Sequence, residues 1–309
     1  MKAEKFFKSR IVVVIGALIC AALWGSATPF IKIGYELMLP LRDVQSTILF
    51  AGIRFLCAGV ITVILYSLAR RKMLIPKKEN WGKIGLVGCF QTVIQYIFFY
   101  IGLANTSGVK GTILSGTNAF FSLLIASLIF KQEKLTAKKL MACVIGFAGL
   151  ILINLNGLEF TMNFYGDTFV IFSTIAYAFS SVLIKKFSKH EDPVVISGYQ
   201  FIMGGLFMIV VGLLFGGNIE VTSYKAVGVL TYLAFLSATA YALWGVLLKY
   251  NPVSKVSIFN FMTPVFGVIL SEIMLTEASK VKPVNVIVTL VLISIGIFML
   301  NHKNEKEKI

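Results

Sequence analysis

The sequence predicts an all-α integral membrane fold of ten transmembrane helices, built as two inverted five-helix repeats, and three observations lead there. The first is composition: of 309 residues, 57% are hydrophobic and 14% charged, with a mean hydropathy of +0.85. That is too little polar surface for a water-soluble globule. The second is the length of the apolar runs, roughly 20 residues, which is what an α-helix rising about 1.5 Å per residue needs to cross a hydrocarbon core about 30 Å thick. None of the runs alternates in polarity as the strands of a membrane barrel do. The third is an internal duplication at an offset of about 145 to 153 residues.

The first span, 10–34, follows the basic lead Met1 to Arg10. It is too long for a signal-peptide core and has no small-residue cleavage site at its end, so it reads as a retained membrane helix. The spans that follow are 44–70, 82–103, 109–130, 138–155, 164–187, 193–215, 225–248, 255–275 and 284–301. Trp81, where the third span begins, reads as an interfacial anchor. The connections are too short to hold a soluble catalytic or regulatory domain. Small residues such as Ala17, Ala21 and Gly25, or Gly212 and Gly216, read as close-packing helix faces.

The net charge of +15 is a topology signal. With the N-terminus inside the cell, the inner connections carry 22 of the 29 Lys and Arg residues and the outer ones five, with Lys32 and Arg54 within helices. The positive-inside rule then puts both termini in the cytoplasm, with a secondary attraction to anionic lipid and no nucleic-acid partner. Cys20, Cys57, Cys89 and Cys143 lie in apolar spans at spacings that match no metal site, and His190 and His302 fall in or beside charged connections. No cofactor or metal is expected.

Ala51-Gly-Ile-Arg-Phe-Leu-Cys-Ala-Gly59 matches Ser197-Gly-Tyr-Gln-Phe-Ile-Met-Gly-Gly205, Glu133 after the fourth span matches Glu277 after the ninth, and Trp24 to Lys32 matches Tyr177 to Lys185. These matches divide the chain into repeats at 1–157 and 158–309. Five crossings is an odd number, so the second copy must enter the membrane from the opposite side. Inverted repeats of this kind are a recurring architecture of secondary transporters, with the substrate site near the midplane between them.

Over nearly its whole length the chain resembles the drug/metabolite transporter superfamily, in particular the ten-helix EamA-type bacterial transporters. The resemblance rests on Trp24-Gly-Ser-Ala-Thr-Pro-Phe-Ile-Lys32, on Arg54-Phe55, and on Pro264 with Glu277 thirteen positions later. Phe120 and Glu133 have the same spacing, with Phe120 where proline is usual, so the fourth helix is expected to be straighter than the ninth. The resemblance implies a multi-pass protein of the bacterial cell membrane that exports amino acids and related metabolites or toxic compounds, the alternative being import of a small organic cation or nutrient. Other members import nutrients.

Polar side chains inside membrane helices should face the bundle interior or an aqueous cavity. Helix spacing puts Trp24, Thr28 and Lys32 on one face, and Gln91 with Gln95 beside a stripe of Thr92, Tyr96 and Tyr100. In the fourth span the corresponding residues are Ser115, Asn118 and Ser122, and in the sixth Ser173, Tyr177 and Ser181. Ser237, Tyr241 and Trp244 mark the eighth span, and Ser257, Asn260, Thr263 and Pro264 the ninth. Arg54 aligns with Gln200, so its charge is not required for packing. About ten residues, or about 15 Å, into the second span, it costs roughly 2.5–3.5 kcal/mol by insertion scales. With Lys32 it is expected to form a cationic end of the cavity that receives a substrate carboxylate, the alternative being that its long side chain snorkels to the outer headgroups or donates to free backbone carbonyls. The aromatic walls and amide hooks suit a small zwitterion or amphipathic solute.

Pro29 and Pro264 are hinge candidates. Glu272 is the best acidic candidate for proton coupling, while Glu133 and Glu277 read as solvated helix-end residues. An intramembrane enzyme would need paired aspartates, a His-rich cluster or a Ser/His pair, and no such set is present. No G-x-x-x-x-G-K-[ST] loop occurs, so ATP does not drive transport within this chain. The partners expected are a small-molecule substrate and the lipid bilayer, with the chain a monomer or a homodimer.

Overall fold

A computed structural model describes residues 2–41, 43–155, 163–274 and 283–301. After a short helix, Lys2–Phe7, α1 is Arg10–Met38 and α2 Val44–Arg70. α3 runs through Trp81–Gly88, Cys89–Ile94 and Gln95–Ala104, and α4 through Gly108–Gly116, Asn118–Leu124 and Ile125–Ile129. α5 is Ala137–Ile153, α6 Phe164–Phe187, α7 Pro193–Leu214 and α8 Tyr224–Tyr250. α9 joins Val253–Ser257, Ile258–Phe261 and Met262–Met274, and α10 is Pro283–Asn301. No strand occurs among the described residues.

Nine of these helical segments are long and apolar enough to cross a membrane. The other is α5, whose 17 residues reach about 25 Å, just short of a typical hydrocarbon core. The helices start where the sequence supplies caps. The side chains of Asp43, Asn163, Asp192 and Ser223 accept from backbone N–H groups in the first turns of α2, α6, α7 and α8. Pro193 occupies the first turn of α7, where a missing N–H costs nothing. The outward faces are apolar, as with Val284, Ile287, Val291, Ile295 and Phe298 along α10, so lipid is their natural solvent.

Contacts between connections show that the helices run back and forth. At one end, Asn251 after α8 donates to the Phe7 carbonyl, Tyr66 of α2 donates to Asp192 before α7, and the Ser254 N–H of α9 donates to Glu133 after α4. At the other, Asn218 N–H donates to Ser46, Glu220 N–H to the Met38 carbonyl, and Lys110 pairs with Asp167 at 2.6 Å. The first will be called the N-terminal end, because α1 starts there.

The packing has a regular pattern. α1 lies against α8 and α9, and α6 lies in the same way against α3 and α4; α2 packs on α7, and α5 on α10. The α2–α7 contact is the closest in the bundle. A Cβ on Gly59 would lie 2.6 Å from the Gly198 carbonyl oxygen, and one on Gly205 would lie 2.8 Å from that of Gly52. Gly52 faces Gly205 while Gly59 faces Gly198, so the helices are antiparallel and their backbones touch where only glycine fits. Midway between the two glycine pairs the rings of Phe55 and Phe201 stack, centroids 5.0 Å apart and 9° from parallel.

Three expectations need correction. α4 is not straighter than α9: it breaks at Thr117, between Gly116 and Asn118, and its end from Ile125 to Ile129 is π-helical. The poor helix formers Gly116, Thr117 and Asn118 interrupt it without a proline. α9 breaks at the 3₁₀ turn Ile258–Phe261, ahead of Pro264, which sits in the first turn of the resumed helix where its lost N–H has no intrahelical partner to find. Pro29 lies inside an unbroken α1. Gly216 is not a packing glycine, since nothing lies within 4 Å of its would-be Cβ and its φ of +85° ends α7 in the left-handed region.

Two predictions follow from this frame. Gly59→Ala forces carbonyl and Cβ together and should cost about 1–3 kcal/mol, visible as a lowered melting temperature in detergent. Gly228→Ala, inside α8 with nothing within 4 Å, should leave it unchanged or raise it slightly. At the N-terminal end, burial raises the pKa of Glu191, but donation from Asn80 and from the Lys77 and Asp192 N–H groups outweighs it and holds the carboxyl below its ordinary value. Its contribution is therefore complete above the ordinary carboxylate range and lost as the pH falls through the folded-state value. Glu191→Gln should flatten the acid side of the melting temperature against pH, and an unaltered acid side contradicts this.

Candidate functional site

Around Phe55 and Phe201 the bundle interior is a contiguous aromatic cluster. Phe55 packs on Tyr96 at 4.5 Å and Phe201 on Tyr241 at 4.9 Å, and the hydroxyls of Tyr96 and Tyr241 share a hydrogen bond of 2.8 Å. Trp24 then joins three rings edge to face: Trp244 at 4.9 Å, Tyr241 at 5.1 Å and Tyr177 at 6.4 Å. Nearby, the broken helices α4 and α9 meet through Asn260 Nδ2, which donates to Asn118 Oδ1 at 3.1 Å. Eight helices contribute side chains to this interior, while α5 and α10 stay outside it.

Arg54 enters the cluster from α2. It is 3% exposed, its guanidinium lies over the ring of Phe55 at 4.4 Å and near that of Tyr96 at 5.7 Å, and its Nε has no hydrogen-bond partner. The neutral hydroxyls of Tyr100, Tyr96, Tyr241 and Tyr35 lie around it. Lys32 is exposed and is not one of these neighbours, so the expected pairing of Arg54 with Lys32 is not seen. Lys32 is only six residues from the end of α1, whereas Arg54 is ten from the start of α2.

Other buried polar atoms in this interior also lack partners: the indole nitrogens of Trp24 and Trp244, Tyr177 Oη, Thr263 Oγ1 and Gln95 Oε1. The Tyr177 hydroxyl is near Asn260 and Ser181 without closing a bond to either. An unsatisfied buried polar group costs about 1–3 kcal/mol, so each of these atoms calls for a partner from outside the chain, solvent included.

The remaining sequence candidates are placed as follows. Gln91 lies within the π-helical turn Cys89–Ile94, and Gln95 opens the α-helical stretch that follows it. Gln91 is wholly buried with both amide atoms unpartnered, while Gln95 is half-buried. The same turn presents Thr92, which donates to Gln200 Oε1 at 2.6 Å and leaves Gln200 Nε2 unpaired. Tyr100 is buried and Thr28 exposed, and Ser181 donates to the Tyr177 carbonyl, a bond within its own helix. Glu133 is not solvated. Its side chain is 6% exposed, pairs with Lys139 at 2.7 Å and caps α9 through Ser254. The side chain of Glu272 and all of Glu277 lie outside the described residues.

Sequence reasoning missed Tyr35, Phe55 and Phe201. The two phenylalanines were legible, because each occupies the fifth position of the matched nine-residue stretches.

These features define a helical membrane protein with a polar-aromatic interior site. The EamA-like transporter model matches residues 11–155 and again 164–302, and the chain belongs to that family. An uncharacterised transporter of Archaeoglobus fulgidus is 27% identical over 82% of this chain and 86% of its own. The uncharacterised transporter YvbV of Bacillus subtilis is 24% identical over 97% and 94%. A solved crystal structure shares the fold with a TM-score of 0.76 at 14% identity, covering 94% of this chain and 96% of its own. The chain is a membrane transporter.

Tyr96→Phe and Tyr241→Phe each remove one end of the central hydrogen bond. A double-mutant cycle on unfolding should give a coupling of about 0.6 kcal/mol, and strictly additive losses would mean that the two hydroxyls do not pair.

Proposed function

We propose that the chain is a secondary transporter of small polar metabolites, working by alternating access between inverted repeats at 1–157 and 158–309 and exporting amino acids or related compounds. The observation that carries this reading is that residues at matching positions of the two halves meet each other. Phe55 stacks on Phe201 and Tyr96 bonds to Tyr241. Each glycine of 52 and 59 faces the counterpart of the other. Such contacts are what a two-fold axis lying across the helices through the site would produce, and that is the symmetry alternating access uses.

Equivalent positions that differ describe the state. Lys185, in the last turn of α6 at the N-terminal end of the bundle, is half-buried and donates to the carbonyls of Leu248 and Asn251, capping the last turn of α8. Its counterpart Lys32 is exposed. We read the N-terminal end, on the charge argument the cytoplasmic one, as closed and the other as the more open. On exchange, Lys32 would cap α3 at Leu103 and Thr106, the counterparts of Leu248 and Asn251, while Lys185 lets go. A second reading, import of a small organic cation, is favoured by the four rings of Trp24, Tyr177, Tyr241 and Trp244, since aromatic faces attract ammonium groups.

The test is counterflow in proteoliposomes with amino acids, amines, nucleosides and sugars. At least one amino acid or related metabolite should exchange, and Trp24→Ala or Tyr177→Ala at matched reconstitution should lower that flux at least tenfold. Unchanged flux in both variants would remove this cluster from the pathway. For orientation, a cysteine at exposed His190 should label only from the cytoplasm and one at exposed Asn218 only from outside. Asn251, 7% exposed and bonded to Phe7 and Leu247, is too buried to report on either side, and Asn156 lies outside the described residues.

A further inference from the structure

The interior carries a charge that the protein itself does not neutralise. Among the described residues, Arg54 is the charged side chain at mid-depth in the bundle. The acidic residues whose side chains are described, Glu36, Asp43, Glu133, Asp167, Glu191 and Glu220 among them, lie at helix ends or in connections, and no ion pair forms with Arg54. The ring contacts do not substitute for a counterion. Phe55 and Tyr96 interact with the guanidinium as π-systems, whereas its N–H groups point along its plane and need acceptors.

The hydrogen-bonding groups around it are biased in the same sense. Arg54 Nε, Trp24 Nε1 and Trp244 Nε1 are donors that cannot accept, and all three are without partners. The hydroxyls of Tyr177 and Thr263 are unpaired as well and can donate. Against them stand two orphaned amide acceptors, Gln95 Oε1 and Gln91 Oε1, while Gln91 Nε2 and Gln200 Nε2 add two more unpaired donors. A site with one buried positive charge and a surplus of donors is complementary to a ligand rich in acceptors and negatively charged where it meets Arg54.

Resting on the transport reading, we propose that the site binds small organic carboxylates with an apolar body. The carboxylate is received by Arg54, and the body lies among Trp24, Tyr177, Tyr241 and Trp244. Amino acids belong to this class, with Gln95 Oε1 available to an ammonium group; amines without a carboxylate do not. Arg54 is the specificity-determining residue, and its counterpart Gln200, bonded to Thr92, is the neutral form the same packing tolerates.

The experiment uses the purified full-length protein and three matched sets: L-phenylalanine, L-leucine and phenylacetate; their primary amides; and phenethylamine with isoamylamine. Binding is read by thermal shift and by quenching of tryptophan fluorescence. At least one carboxylate should bind tenfold or more tightly than its amide and than the amines. Arg54→Gln should abolish that preference while melting as a folded protein, and Arg54→Lys should keep part of it. Amides or amines binding as well as the carboxylates in the native protein would overturn the proposal whether or not the variants fold, and so would a native preference retained in Arg54→Gln. Flux in proteoliposomes separates the two claims: carboxylate-selective binding without flux leaves the subsite standing and sinks transport. Flux of an amine that Arg54→Gln does not alter sinks the subsite and leaves transport standing.

Discussion

The rest of the molecule depends on the glycine contact between α2 and α7. In a bilayer, apolar side chains gain nothing by leaving lipid for one another, so helices associate through close packing and polar contacts. Glycines at 52, 59, 198 and 205 let two antiparallel backbones touch over two turns. That approach sets Phe55 on Phe201, and from this pair the contacts spread outward to Tyr96, Tyr241 and Trp24. A side chain at any of the four glycines would separate the helices and, with them, the groups that meet at the centre.

Polar satisfaction is divided by depth. Near the helix ends the buried charges are paired: Asp167 accepts from Thr106 and pairs with Lys110, Glu133 serves Lys139 and Ser254, and Lys185 caps α8. At the centre satisfaction is incomplete, for Arg54, Trp24, Trp244, Tyr177 and Gln95 all hold atoms without partners. Burying such groups without partners is costly, and the proposed substrate subsite rests on this contrast between paired charges near the ends and the unpaired Arg54 at the centre.

Much of the fold could be read in advance. Apolar run length gave α2 and α6 to the residue, and the repeat pointed to Arg54, Phe55 and the glycines around them. α1 extends to Met38, four residues beyond the expected end, because Glu36 follows one helical turn after Lys32 and ended the apolar run without ending the helix. The 3₁₀ turn of α9 and the π-turn of α3 were not legible, because an apolar run reads as one regular helix, whereas the break in α4 had a local signal in Gly116, Thr117 and Asn118. Lys32 was wrongly joined to Arg54 because depth along separate helices does not fix lateral distance. Glu133 looked solvated because its helix-end position says nothing of the α9 start it caps.

The central claim is that the two ends of the bundle open and close in exchange, with Lys185 holding the N-terminal end shut. The most direct measurement is a pair of spin-label distances in the native protein and in Lys185→Ala: 186 to 249 at the N-terminal end, and 36 to 103 at the other. The account predicts that the substitution lengthens the 186–249 distance and shortens the 36–103 distance, as one closure is traded for the other. If the first lengthens while the second stays fixed, or both move in the same sense, the ends are not coupled and the exchange between halves is contradicted.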